Sequence, residues 1–575
     1  MDKVIRVNLG NLKVMVEKIG KEYVNLGGRG LVSEIISKEV PPLCHPLSKE
    51  NKIIFSPGLL CGTPCPCSGR LSVGAKSPLT GTIKESNAGG TAAQKLSRLG
   101  ISALIIEGKP EDKRLYLLKI SKDKYEIESA DELRGLGNYD TISFLTKKYG
   151  DKVSYISIGH AGERKMSAAS IAVTDMENRP TRHAGRGGLG AVMGSKGLKA
   201  IVIDDKGADK ISIKDKDTFM DASKRFTRAL EKHHVTGDAL PTYGTNVLTN
   251  IINEAGAYPT RNFSSGKFEN AEKIGGEAHR NIILKRGGIA KHSCHPGCII
   301  QCSRIYHDEK GNYLTKGPEY ETLWANGGNL EIDDLDTIAN MDRLYDDYGL
   351  DTIEIGVAIG LAMEAGIKKF GDKEGAIELL KEIGKATPLG YILGNGAAVT
   401  GQVFGLERVP VVKGQSLPAY DPRHAKGVGV TYATSPMGAD HTAGYSITAN
   451  ILKIGGSVDP LKSEGQIELS RNLQIATAFL DTTGLCLFVA FCLLDDNEAF
   501  NAVIDMLNSQ YDLKLTEQDV IDLGRRIIKT ENEFNRRAGF SNEASRLPSF
   551  FEKEKIPPHN ITFDITHEEL DKVWE

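Results

Sequence analysis

Apolar residues in the first 205 positions fall in short runs, KVIRVNL, NKIIFSPG, ALIIEG, RLYLLKI, VSYISIG and LKAIVID, each set off by glycine-rich turns. Runs of that length, rich in Val and Ile and bounded by turn residues, predict strands. From about Ser212 the rhythm lengthens. In DKDTFMDASKRFTRALEKHH, LDTIANMDRLYDDYG and GAIELLKEIGKAT, apolar residues return every three or four positions, which predicts amphipathic helices. A second helical block follows the Pro- and Gly-containing stretch ERVPVVKGQSLPAYDPRHAKG. The expected chain is α+β, with a β-rich N-terminal domain over 1–205 and two mainly α-helical domains over 206–410 and 411–575. A chain of 575 residues exceeds what one hydrophobic core supports and can bury a large cofactor.

Charge narrows the partners. The formal net charge is -3 with both signs mixed along the chain, which argues against nucleic acid and anionic membranes and leaves small molecules and other proteins. MDKVIRVNLG has no apolar signal core, and no run of eighteen uncharged apolar residues occurs, so a soluble cytoplasmic protein is expected.

Two segments share an unusual form. DDYGLD (Asp346–Asp351) and DTTGLC (Asp481–Cys486) both read Asp-x-x-Gly-Leu and then a ligand-type residue, each after an apolar-periodic stretch. Such a glycine can end a helix at positive φ. A carboxylate there can accept two parallel hydrogen bonds from the edge of a flat heterocycle such as a pterin or guanine. Two exposed helix ends would look the same.

The nine cysteines are Cys44, Cys61, Cys65, Cys67, Cys294, Cys298, Cys302, Cys486 and Cys492, an odd number in two tight groups, which favours metal binding over disulfides. HSCHPGCIIQC spaces Cys294, Cys298 and Cys302 four apart. Pro296 and Gly297 predict a loop, leading into a turn of helix on which Cys298 and Cys302 share a face. A fourth ligand could be His292 or His295 for zinc, or a distant cysteine for a [4Fe-4S] cluster. Cys486 ends the second Asp-x-x-Gly-Leu segment, where the first has Asp351.

Glycine is abundant, 62 of 575, and clustered. RHAGRGGLGAVMGSKGLKAIVIDD contains G-x-G-x-x-G at Gly185, Gly187 and Gly190, but no strand is expected to run directly into Gly185 and Arg186 stands within the loop. A phosphate cradle of main-chain N–H groups and guanidinium forks suits it better than a nicotinamide site. CSGRLSVGAKSPLTGTIKESNAGG adds Arg70, Asn87 and Gly89. Glu319 and Glu321 in GPEYET, and His441 in GADH, are candidate proton-transfer groups.

The order of these segments, with NLGGRGL near the start and TPCPCSGR and ESNAGG after it, resembles the tungsten-containing aldehyde:ferredoxin oxidoreductases over nearly the whole chain. The resemblance implies a β-rich base for the cofactor enclosed by two helical domains, and tungsten (or molybdenum) held by two pyranopterins beside a [4Fe-4S] cluster. Asp346 and Asp481 would bind the pterin edges, helped by Leu350, Asp351 and Leu485. Arg70, Gly89, Ala184 and Arg186 would surround the phosphates, and the carbonyls of Asn87 and Ala184 would hold magnesium. Cys294, Cys298, Cys302 and Cys486 would ligate the cluster. Glu321 is expected as general base and His441 as hydrogen-bond donor to the aldehyde oxygen, with electrons leaving to ferredoxin or a small iron–sulfur subunit. A homodimer is expected by analogy, and TIANMDRL, lacking a Glu, predicts no interfacial iron. Cys44, Cys61, Cys65 and Cys67 are expected as free thiols or a second metal site. The alternatives are a benzoyl-CoA reductase-type subunit of the same family and a nicotinamide dehydrogenase with structural zinc.

Overall fold

The computed structural model describes residues 2–575. Two six-stranded sheets fill the N-terminal part. The first contains β1 (Lys3–Asn8), β2 (Lys13–Lys18), β3 (Ile53–Pro57), β4 (Leu71–Lys76), β5 (Ile83–Ala88) and β6 (Ile101–Glu107), ordered β2-β1-β6-β3-β4-β5. The second contains β7 (Tyr116–Ile120), β8 (Tyr125–Ser129), β9 (Ser154–Ser157), β10 (Ile171–Val173), β11 (Arg182–Ala184) and β12 (Leu198–Ile203), ordered β11-β10-β9-β12-β7-β8.

All six apolar runs of the sequence become strands. The other six strands carry more polar residues or are very short, and only tertiary pairing makes them strands. One of them, β11, corrects an expectation: a three-residue strand, paired antiparallel to β10, does run directly into Gly185. The sheets bury one common apolar cluster that includes Ile53, Phe55, Leu104, Ile156 and Ile201. Burial on both faces explains why β3 and β12 read as continuous apolar runs rather than alternating ones. The outer strand of one sheet, β5, touches the outer strand of the other, β11, so Asn87 and Ala184 lie where the two edges meet.

Beyond residue 205 the chain is mainly helical. Helices Lys216–Lys232, Leu335–Tyr348 and Lys373–Lys385 occupy the three segments with helical rhythm. The helix Thr352–Glu364 is apolar all round because it is buried for nearly its whole length. A small antiparallel sheet, β13 (Ile289–His292), β14 (Ser303–His307) and β15 (Tyr313–Lys316), interrupts the helices. Its β13–β14 connection carries the cysteine triplet. No helix turn forms there, contrary to the sequence expectation: Gln301 adopts φ 53° and Cys302 bridges to His292, so the chain re-enters the sheet where a helix would continue. No helix of the described residues is long and apolar enough to cross a membrane.

Candidate active site

A cavity of about 950 Å³ lies between the sheets and the helices and is lined from both halves of the chain. Both Asp-x-x-Gly-Leu segments reach it. The first ends the helix Leu335–Tyr348 with Gly349 at φ 70°, and the second ends the helix Gln466–Thr483 with Gly484 at φ 81°. Positive φ in each places the preceding carboxylate on the last helical turn and sends the chain inward.

Asp346 is 2% exposed. Its Oδ1 accepts from Lys316 Nζ at 2.6 Å and lies 3.1 Å from His183 Nε2, while Oδ2 is buried without a partner. Burial pushes this carboxyl up, but Lys316 and His183 outweigh it and hold it below the ordinary range. Asp481 accepts from Arg29 at 3.4 Å and from Asn87 Nδ2 at 3.3 Å. Burial raises it to about 6 against the opposing charge of Arg29. Arg29 itself is gripped by Glu531 through two hydrogen bonds of 2.9 and 2.8 Å.

The second segment is clasped by the N-terminal sheet. Leu59 and Leu60 N–H donate to the carbonyls of Thr482 and Thr483 at 3.1 and 2.9 Å, and Arg70 N–H donates to Gly484 at 3.0 Å. A side chain on Gly58 would stand 2.0 Å from Gly484 N, and one on Gly28 would stand 2.1 Å from the Asp481 carbonyl, so this approach requires glycine.

Cys294, Cys298, Cys302 and Cys486 are all buried. Cys294, His295 and Cys298 bring ligand atoms within 4.8 Å of one another, and an Arg70 terminal nitrogen donates to Cys486 Sγ at 3.2 Å. Gly89 lies beneath this group, where an added side chain would crowd the Cys294 carbonyl at 3.2 Å. Cys61 and Cys65 turn their thiols to the carbonyls of Arg70 and Pro66, so with Cys44 they build no second metal group among the described residues.

The arginines divide. Nε of Arg70 and of Arg182 are buried without partners and face the cavity. Arg186, by contrast, is committed to the protein. Its Nε donates to Asp351 Oδ2 at 3.1 Å and its terminal nitrogens to Ala439 and Ser416. Asp351 also uses Oδ1 to cap the helix Thr352–Glu364. Arg186 and Asp351 therefore brace the wall, and the free guanidinium N–H groups belong to Arg70 and Arg182. Leu350 and Leu485 are both buried, and of the two only Leu350 lines the cavity.

Glu321, in the first turn of the helix Tyr320–Asn326, accepts Ala419 N–H at 3.0 Å. His441 Nε2 lies 3.3 Å from Glu321 Oε1, out of line for a full hydrogen bond. Burial raises Glu321 to about 8 and lowers His441 to about 4, so at neutral pH the pair is a carboxylic acid beside a neutral imidazole. A protonated Glu321 facing Nε2 leaves the ring proton on Nδ1, which is buried without a partner. The loop is fixed by Lys84, 3.0 Å from Asp440, and by Arg186 holding the Ala439 carbonyl. Glu319 instead accepts from Thr245 Oγ1 at 2.6 Å.

Sequence reasoning missed Arg29, Lys316, His183, Glu85 and the Tyr420–Tyr445 pair, whose hydroxyls are 2.7 Å apart next to His441. Arg29 lies within NLGGRGL, His183 within RHAGRGG and Glu85 within ESNAGG, all visible segments; Lys316 and the two tyrosines come from stretches with no distinctive pattern.

The donor set fits a large anionic group with two polar-edged rings: two buried carboxylates, two buried guanidinium Nε without partners and the thiols of Cys294 and Cys302 border one cavity, with Cys298 and Cys486 buried nearby. Comparison with known proteins gives the class. The family description "Aldehyde ferredoxin oxidoreductase, N-terminal domain" matches residues 4–205, and "Aldehyde ferredoxin oxidoreductase, domains 2 & 3" matches 221–575. The chain belongs to this family of oxidoreductases. Among individual relatives, it is 38% identical to the tungsten-containing aldehyde ferredoxin oxidoreductase of Pyrococcus horikoshii, over 96% of this chain and 92% of the relative. It is 39% identical to that of Pyrococcus abyssi over the same shares. An aliphatic sulfonate oxidoreductase WOR-like subunit of Pyrococcus furiosus is 26% identical over 92% of this chain and 84% of the relative. The fold is also that of a chain in the active-site complex of benzoyl coenzyme A reductase, with TM-score 0.82 and 20% identity over 100% of this chain and 93% of that one.

Proposed function

We propose that this chain oxidises aldehydes to carboxylic acids with tungsten (or molybdenum) held by two pyranopterins, passing electrons through a [4Fe-4S] cluster to ferredoxin or an iron–sulfur partner. Its main support is the convergence of both Asp-x-x-Gly-Leu carboxylates and the cysteine loop on one cavity, in a chain matched end to end by the family. Aldehyde and water give the acid, two electrons and two protons.

Asp346 and Asp481 would hold the ring edges, Arg70 and Arg182 the phosphates with Arg186 bracing the loop, and the Asn87 and Ala184 carbonyls a magnesium ion. Cys294, Cys298, Cys302 and Cys486 would ligate the cluster. When bound, the metal–pterin group would supply a two-electron acceptor and the cluster a one-electron path outward. The protein's own part is proton management and orientation. The Nδ1–H of neutral His441 donates to the aldehyde oxygen as negative charge grows there, and Glu321 takes a proton from water once it is itself ionised. Because Glu321 is raised to about 8, kcat/KM should rise about tenfold per pH unit below that value and level off above it.

Metal analysis with a benzyl viologen assay tests the reading. Tungsten or molybdenum with about four irons per chain and turnover of aldehydes supports it. Turnover of acyl-CoA substrates alone would support the reductase alternative, and zinc with NAD(P)H dependence would overturn both. Glu321→Gln should keep tungsten and iron yet suppress kcat and abolish the alkaline rise; an unchanged kcat would remove Glu321 from the reaction.

A further inference from the structure

The cavity extends past the groups assigned so far. Besides them it is lined from the helices Gln466–Thr483, Ala490–Asp495, Asn497–Tyr511 and Glu517–Arg537. Leu473, Thr477 and Leu480 share one face of the first helix, and Leu487, Phe491 and Leu494 repeat that spacing in the segment after Cys486. The apolar run LFVAFCLL, which reads as ordinary core, thus turns part of its surface to the cavity. Its rings continue to the reacting groups. Phe488 stacks on Phe491 with centroids 6.2 Å and planes 14° apart, Phe491 meets Tyr445 edge-on at 6.1 Å, and Tyr445 meets His441 at 6.1 Å. All four rings line the cavity. The Tyr445 hydroxyl lies 2.7 Å from that of Tyr420, so its polar end is already engaged.

Charge is confined to the other part of the lining. Apart from Asp481, the only charged lining residue from 472 to 525 is Arg525, which is exposed and donates to Asp522 at 3.0 Å. The amides here, Asn472, Asn497 and Gln518, are exposed as well. Polar groups therefore ring the outer end, and the buried stretch between them and His441 is apolar. An aldehyde bearing a phosphate or carboxylate would carry an unpaired charge along this wall. A flat apolar body meets ring faces and edges instead, which favour aromatic partners beyond the area they bury.

We propose that the substrates are uncharged aldehydes with a bulky apolar body, aromatic ones foremost, and that Phe488 and Phe491 set this preference. The inference rests on the aldehyde-oxidising reading above and names its substrate class. The carbonyl end reaches His441 and Glu321 while the body lies against Tyr445, Phe491 and Phe488. The two phenylalanines hold the body and not the reacting bond, so their removal should appear in KM more than in kcat.

The test is kcat/KM of the full-length holoenzyme with benzyl viologen, across ethanal, butanal, hexanal and benzaldehyde, beside the anionic succinic semialdehyde and glycolaldehyde phosphate. It should rise about fourfold per methylene from ethanal to hexanal. Benzaldehyde should match or exceed hexanal, and both anionic aldehydes should fall at least about 100-fold below hexanal. Phe491→Ala should lower the benzaldehyde-to-ethanal ratio about tenfold, mainly through KM. Phe491→Leu, read in its place if the alanine variant does not fold, should restore hexanal but not benzaldehyde. Calorimetric binding of acetophenone, a ketone with no aldehyde hydrogen, gives a readout apart from turnover and should weaken about tenfold in Phe491→Ala. The proposal fails if an anionic aldehyde matches hexanal, if kcat/KM is flat from ethanal to hexanal, or if both Phe491 variants keep the wild-type ratio. Turnover of no aldehyde at all would overturn the oxidation reading itself, an outcome distinct from aldehyde turnover without the apolar preference.

Discussion

The two Asp-x-x-Gly-Leu segments are local twins with different surroundings. In both, a left-handed glycine stops a helix and leaves an aspartate on the cavity wall. Around Asp346, Lys316 and His183 hold the carboxylate in its charged form. Around Asp481, the available cation is already bound more closely by Glu531, and burial leaves the carboxyl near 6. The sixth residue diverges as well: Asp351 starts a helix, whereas Cys486 turns into the cysteine loop. The backbone motif thus places an acid, and tertiary partners decide both its charge and the path of the chain beyond it.

The strongest way to separate the twins is at that sixth position. Cys486→Ser should lower iron content and block ferredoxin reduction, whereas Asp351→Ala should leave iron intact; full iron and normal rates in Cys486→Ser would return the residue to the core. Next comes the cation of the first twin. Lys316→Met would leave Asp342 and Asp346 buried side by side without their shared lysine and with only His183 beside Asp346, a loss of about 3–5 kcal/mol in urea unfolding. A loss below about 1 kcal/mol would show that the pair behaves as though exposed.

A subtler contrast is one of sign. Asp481 has its folded-state value raised, so its contribution to stability is fully present below about pH 4 and is lost as pH rises through about 6. Asp481→Asn should therefore stabilise the protein at pH 7 by about 1–3 kcal/mol, with the gain vanishing at pH 4. Asp346 is lowered, so its contribution is present above about pH 4 and is lost on acidification. Asp346→Asn should destabilise at pH 7. Equal signs for the two variants would erase the distinction. The smallest effect belongs to the helix cap: Asp351→Ala should cost about 0.5–2 kcal/mol, with any excess attributable to the freed Arg186.

Much of this was legible in the letters. Strand-length apolar runs, helical rhythm after Ser212, both helix-ending glycines and the cysteine triplet are local signals, and each appears in place. The lost information is of another kind. Polar strands such as β5, KESN at its centre, become strands only because β4 and β11 flank them. Arg186 reads as a free guanidinium in its glycine loop, yet its partners lie more than 160 residues away in Asp351, Ser416 and Ala439. Lys316 and Arg29 were invisible as counter-ions because nothing in their neighbourhoods announces a carboxylate far along the chain. The cysteine loop failed as a helix for a similar reason, since the pull of β14 acts through pairing rather than through spacing.

The glycine clasp around residues 481–484 also sets an order of construction. The contacts of Leu59, Leu60 and Arg70 with this segment join positions more than 400 residues apart, so the wall carrying Arg29 and Asn87 is synthesised long before the carboxylate and thiol that complete it. Until the last hundred residues emerge, a growing chain offers a half-built basin with one cavity-lining acid, Asp346, and three of the four thiols. Closing it brings main chain against main chain at distances that admit no side chain. The cavity wall is therefore complete only once residues 481–484 have packed against Gly28 and Gly58, so the second carboxylate and the fourth thiol are the last parts to join the site.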